Sequence, residues 1–177
     1  MGQLIGPNDQ IVVVHVDEDG QHGLMAATFD VGGDGDVPDV SYGVWPGYRW
    51  SDNYHDNDIP TGDSIGEGKS NTWAIISEFG DPDQPGVGMY AAWLCHNLSV
   101  QTNDGELDDW FLPSNGELDL VFEWAREEFQ APDRKGLYWT SSQAAEPEGA
   151  KYINFYDGLK GSNLKTNRCL VRCVHEF

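Results

Sequence analysis

Positive charge is what this chain has least of. Its 177 residues carry five Lys and five Arg against nineteen Asp and eleven Glu, for a formal charge of −20 and a pI near 4.2. Nucleic acid is therefore excluded as an expected partner, because binding it needs clustered positive charge. An anionic membrane surface is excluded for the same reason. No apolar run approaches the length of a membrane span, so no membrane insertion is expected. Met1-Gly2-Gln3-Leu4 has no basic, apolar leader character, so no signal peptide is read; secretion stays open. Cysteine is also scarce. Cys95, Cys169 and Cys173 form no CxxC pair, which removes zinc-ribbon and thioredoxin-like readings. The motifs GxSxG, HExxH, GxGxxG and the P-loop are all missing. His15, His22, His55, His96 and His175 are scattered without metal-ligand spacing and read as strand or loop residues. Cys95 beside His96 does not make a nucleophile pair, since adjacent helical residues point about 100° apart.

The acids are spread along the whole chain. In dilute buffer such a surface repels itself. At molar salt the Debye length falls to about 3 Å and the repulsion fades. Acid-rich, lysine-poor composition is the halophilic pattern; an acidic extracellular domain is the plainer alternative. Two acidic stretches allow calcium, Asp52, Asp56 and Asp58 in one loop and Asp104, Glu106, Asp108 and Asp109 in another. Neither has EF-hand spacing, clusters of acids arise by chance in so acidic a chain, and solvated loops are the favoured reading of both. No cofactor is required, with calcium the one possibility. Asn97-Leu98-Ser99 is an N-glycosylation triplet at a helix end.

The length and the 39% hydrophobic content fit one domain over residues 1–177. Ile11 to Val16 and Gly23 to Phe29 read as a strand hairpin around Asp17–Gly20. Residues 30–63 follow neither helical nor strand period and read as a long ordered loop holding Trp45, Tyr48, Trp50 and Tyr54. These aromatics suit carbohydrate or protein recognition, and packing of the loop itself accounts for them equally well. Helices are expected over 70–79, 89–98 and from about 115 to 129. Ser114 and Glu117 form a capping box before the third. Residues 99–110 read as a polar turn. Strands follow at 138–142, 150–156 and 169–174. The order predicts an α+β fold, two or three helices packed on a mostly antiparallel sheet with long loops.

Several segments then resemble one family in the right order: His22-Gly23-Leu24-Met25-Ala26-Ala27, Ala91-Ala92-Trp93-Leu94-Cys95, Asp108-Asp109-Trp110-Phe111-Leu112-Pro113-Ser114 with Glu117-Leu118, Tyr138-Trp139-Thr140-Ser141-Ser142, Ile153-Asn154-Phe155-Tyr156-Asp157-Gly158, and Asn167-Arg168 with Val171-Arg172-Cys173-Val174. Together they resemble the Lcl C-terminal domain family, found at the end of collagen-like adhesins and in bacterial and phage proteins. The resemblance spans roughly residues 10–177. It implies a C-type-lectin-like fold whose terminal strands pair, with Trp110, Leu112, Pro113, Trp139 and Phe155 as scaffold. It also implies a Cys95–Cys173 disulfide with Cys169 left as a buried thiol. The region between Ser142 and Arg168 would then be a display surface. Its expected contact residues are Gln143, Glu146, Lys151, Tyr152, Asn154, Tyr156, Lys160 and Asn163, because Tyr152, Asn154 and Tyr156 alternate with apolar Ile153 and Phe155.

The resemblance thus implies a non-enzymatic domain at a virion surface (tail fibre, spike or capsid decoration) or outside the cell. Its partners would be a host-surface glycan or protein, or neighbouring virion subunits, and a homo-oligomer, such as a trimer, is expected. A secreted or cell-surface adhesin is the alternative. A third, enzymatic reading rests on the related fold of formylglycine-generating enzymes. Those need a reactive cysteine pair, and Cys169 and Cys173 would lie about 13 Å apart on an extended strand. Two features depart from the family pattern: Cys169 itself, and the aromatic, acidic 30–63 loop.

Overall fold

The computed structural model describes residues 2–6, 9–31, 47–51, 57–83, 88–129 and 136–177. The elements run β1 (Leu4–Ile5), β2 (Ile11–Val16), β3 (Gly23–Ala27), β4 (Tyr48–Arg49), α1 (Gly68–Phe79), α2 (Ala91–His96), β5 (Val100–Thr102), β6 (Gly105–Leu107), α3 (Asn115–Phe129), β7 (Leu137–Gln143), β8 (Gly149–Asn154), β9 (Lys160–Leu164), β10 (Arg168–Cys169) and β11 (Val174–Glu176). The class is α+β, and every strand ladder among the described residues is antiparallel. The one sheet expected is in fact several: a four-stranded sheet β1-β2-β3-β11, a three-stranded sheet β7-β8-β9, and the pairs β4-β10 and β5-β6.

The run Ile11–Val14 has no polar member because its strand is covered on both faces. Ile11 and Val13 join Met25, Ala27 and the inner sides of α1 and α2, including Ile75, Ala91 and Cys95. Val12 and Val14 join Leu24, Ala26 and the apolar stripe of α3, Leu118, Val121, Trp124 and Ala125. The second sheet divides the same way, Trp139 and Ala150 into the first cluster, Tyr138 and Ile153 into the second. Helices therefore pack on both sides of the sheets.

The chain ends are drawn together. β11 lies beside β3, so C-terminal and N-terminal strands are neighbours. Cys95 on α2 is joined to Cys173 by a disulfide with Cα atoms 5.4 Å apart. Arg172 is fully buried, its guanidinium paired with Asp30 and lying over Tyr138, whose hydroxyl donates to the same carboxylate at 3.1 Å. The 169–174 strand expected from sequence is cut in two by this arrangement. Residues 170–173 leave one sheet and cross to the other: Leu170 bridges Tyr138, and Cys173 and Arg172 are committed to covalent and ionic partners.

Three smaller differences have simple causes. The 99–110 segment forms the hairpin β5-β6, with Val100 buried beneath it. β9 reads KGSNL, with no β-branched residue to announce it, and is held by its ladder to β8. α2 is shorter than expected because Tyr90 stays extended, ψ 162°, and its hydroxyl donates to Gly80 O at 2.7 Å.

A candidate contact surface on the β8-β9 hairpin

The third helix begins as its sequence predicts. Ser114 N–H donates to Glu117 Oε2 at 2.7 Å, and Glu117 N–H donates to Ser114 Oγ at 3.3 Å, the reciprocal pattern of a capping box. Glu117 does more than cap. Its other oxygen accepts Gly66 N–H at 2.8 Å and Gly68 N–H at 3.4 Å, which fixes the entry to α1. Burial pushes this carboxyl above its ordinary range, against the pull of those backbone donors. The rigid corner made by α1 and α3 supports the second sheet, and the β8-β9 hairpin is that sheet's outer part.

The hairpin turn is built by Asn154. Its carbonyl accepts Gly158 N–H at 2.7 Å and its side chain accepts Tyr156 N–H at 3.1 Å. Gly158 has φ +75°, and a Cβ there would meet the Phe122 ring at 2.8 Å, so only glycine closes this turn over α3. The turn lifts Tyr156 (64% exposed) and Leu159 (66% exposed) into solvent, and β9 ends with Leu164 at 47%. Leu159 and Leu164 were not expected here; exposed leucines leave no signature in a strand-like sequence.

The residues expected to form the contact face divide into three groups. Glu146, Tyr156 and Lys160 are exposed, with Lys160 paired to Asp119 of α3. Lys151, Tyr152, Asn154 and Asn163 are half-buried and have structural tasks. Lys151 pairs with Asp63. The Tyr152 ring lies across Gly161, where a Cβ would come 2.6 Å from its hydroxyl. Asn163 Oδ1 accepts Asn167 Nδ2–H at 2.6 Å. Gln143 is buried and belongs to the interior. Its Oε1 accepts Ile59 N–H at 3.0 Å and Lys165 Nζ–H at 2.8 Å, while its Nε2 donates to Asp58 at 2.9 Å. The strand alternation misleads because β8 is covered on both faces: Ile153 faces α3, and Tyr152 packs against the opposite cluster.

The loop aromatics divide too. Trp50 is fully buried, donates from Nε1 to Thr140 O at 2.7 Å and lies under the Lys165 ammonium, so it is scaffold. Tyr48 is half-buried, and its carbonyl accepts Trp139 Nε1–H at 2.8 Å. Trp45 and Tyr54 lie outside the described residues, as do Asp52 and Asp56. No sequence pattern singles out Trp73, which stands 48% exposed on α1 with its ring 4.6 Å from His96.

The acidic stretches find ordinary partners. Asp58 accepts from Gln143, Glu106 from Ser99, and Asp109 from Lys69 at 2.9 Å, a bond that holds the Asp109 carboxyl below its usual range. Among the described residues, no group of three or more His, Cys, Asp or Glu side chains is placed to hold a metal ion. Cys95 is consumed by its disulfide, and Cys169 is a free, buried thiol pushed up to about 12 by desolvation. No family model and no curated protein matches the chain.

Proposed function

We propose that this chain is a non-enzymatic recognition domain of the C-type-lectin-like type. It would act at a virion surface, as part of a tail fibre, spike or capsid decoration, and contact a host glycan, a host protein or neighbouring subunits. The observation that carries this reading is the β8-β9 hairpin. Tyr156 and Leu159 are held in solvent by a turn that depends on Asn154 and Gly158, and Leu164 stands exposed at the far end of β9. Large apolar side chains kept exposed on a fixed hairpin suit a partner better than they suit water. The neighbouring β3 and β11 strands and the Cys95–Cys173 bridge agree with the family pattern that the sequence resembles. A disulfide also favours an oxidising location outside the cytoplasm.

The same disulfide supports a secreted or cell-surface adhesin as the second reading. Mass spectrometry of purified particles and of envelope fractions separates the two. Enrichment in particles supports the virion assignment; presence only in envelopes moves the domain to the cell surface. The surplus of twenty negative charges further supports a hypersaline source. Thermal melts in KCl from about 0.1 M to several molar should then rise as repulsion is screened, and a flat or falling curve would assign the acidity another cause.

A further inference from the structure

Two exposed features lie side by side at the end of α2, and neither belongs to the β8-β9 hairpin. The first is the triplet Asn97-Leu98-Ser99, the only Asn-X-Ser/Thr sequence in the chain. Asn97 is the C-cap of α2, with φ −97° and ψ 8°, and both Asn97 and Ser99 are exposed. The Asn97 amide donates from Nδ2 to Trp93 O at 3.0 Å. A side-chain amide carries two hydrogens, so that bond leaves one of them for substitution.

The second feature is an aromatic surface where α1 packs on α2. Trp73 of α1 is 48% exposed. The His96 ring contacts it edge-on with centroids 4.6 Å apart, and stands 6.1 Å from the ring of half-buried Trp93. Trp93 precedes Asn97 by four residues, which puts the two on one face of the helix end. An exposed tryptophan offers an apolar face with a polar edge. The C–H face of a sugar ring stacks on such a surface while its hydroxyls stay in water.

We propose that Asn97 carries an N-linked glycan and that the first sugars of that glycan lie on the Trp73–His96 surface. The donor is a sugar linked through phosphate to a lipid carrier. Nδ2 of Asn97 attacks the anomeric carbon. A carbon–nitrogen bond forms, the bond from that carbon to the phosphate oxygen breaks, the lipid phosphate leaves with the electron pair, and Nδ2 gives up one proton. The hydrogen that remains on Nδ2 keeps the bond to Trp93 O, so the first sugar is held at the end of α2 beside His96. The order of synthesis permits the transfer. Asn97 is made before Cys173, so the triplet is reachable before the Cys95–Cys173 bond and β11 fix α2 in place. The proposal rests on the location outside the cytoplasm that the disulfide favours, and is independent of the hairpin.

Glycopeptide mass spectrometry of the full chain from its native source should find a sugar mass on the peptide bearing Asn97. Unmodified Asn97 in chain recovered outside the cell would overturn the proposal. Chain confined to the cytoplasm would overturn it together with the location it rests on, so the two failures are distinguishable. For the surface, the full chain is secreted from a host that attaches N-glycans and, separately, from one that does not. Ser99→Ala should lose the sugar mass in the first host although Asn97 is kept. The glycosylated parent should melt about 2–4 °C above the same chain without glycan, and acrylamide should quench its tryptophan fluorescence less. In Trp73→Ala, an exposed position, the glycosylated and bare forms should melt together. A parent secreted from the glycosylating host without a sugar mass, equal melting and quenching of its two forms, or a difference that survives Trp73→Ala would overturn the proposal.

Discussion

Breaking the Cys95–Cys173 bond should cost this domain a large share of its stability. The bond joins α2 to the residue before β11 across a separation of 78 residues. That span holds both short hairpin strands β5 and β6, all of α3, and the whole second sheet. In the chain-entropy relation, a loop of this size restricts the unfolded chain by about 4.5 kcal/mol at 25 °C. Domains are typically stable by only about 5–15 kcal/mol. Both cysteines are fully buried, so reductant should reach them only after unfolding. The assay is urea unfolding of oxidised protein beside protein reduced under denaturing conditions and refolded in reductant. With a urea dependence of about 2 kcal/mol per molar, the midpoint should fall by about 2 M. The slope should steepen as well, because the unfolded chain expands once the link is gone. Thiol counting accompanies the melts. Native protein should alkylate at none of its cysteines, since burial pushes the Cys169 thiol up to about 12, and denatured oxidised protein should alkylate only at Cys169. Three alkylated cysteines, or equal midpoints in the two forms, would refute the reasoning.

Three further outcomes follow from single contacts. Gly47→Ala should separate β4 from β10, because the added Cβ would lie 1.9 Å from Cys169 O at a φ of +109°; a melting temperature within a degree or so of the parent would contradict this. Ser114→Ala removes the acceptor for Glu117 N–H and the donor to Ser64 O, 2.7 Å away, and should cost about 1–2 kcal/mol in denaturant titration. Burial holds the His175 imidazole below its ordinary value of 6.5, while the Asp19 hydrogen bond raises exposed His22 above it, and NMR titration should find them on opposite sides of that value. A depressed histidine contributes stability that is present above 6.5 and lost as pH falls through its folded value, so Glu117 works in the opposite sense, its contribution present below 4.5 and lost as pH rises.

Local rules read well in this sequence, and interactions distant along the chain did not. Ser114 and Glu117 announced a capping box because that motif lies within four residues, and the structure forms it atom for atom. The hairpin of β2 and β3 was equally local. The disulfide came from a resemblance, since three cysteines by themselves allow several pairings. Gln143 looked like a display residue until the chain folded; its partners Asp58, Ile59 and Lys165 come from far along the sequence and bury it. Trp50 was lost to the interior in the same way, under Lys165 and Thr140. The pairing of Arg49 with Arg168 across β4 and β10 depends on a two-residue ladder that no sequence period signals. Exposure of Leu159 and Leu164 was hidden for another reason: apolar residues are read as core, and the hairpin leaves these outside it.

The recognition account is tested most directly on an array of glycans and surface proteins probed with the folded domain and with a Tyr156→Ala/Leu159→Ala variant, in KCl. The account predicts discrete ligands for the parent and their loss in the variant, whose melting temperature should fall only slightly because both side chains are mostly exposed. Ligands retained at full strength by the folded variant would contradict it.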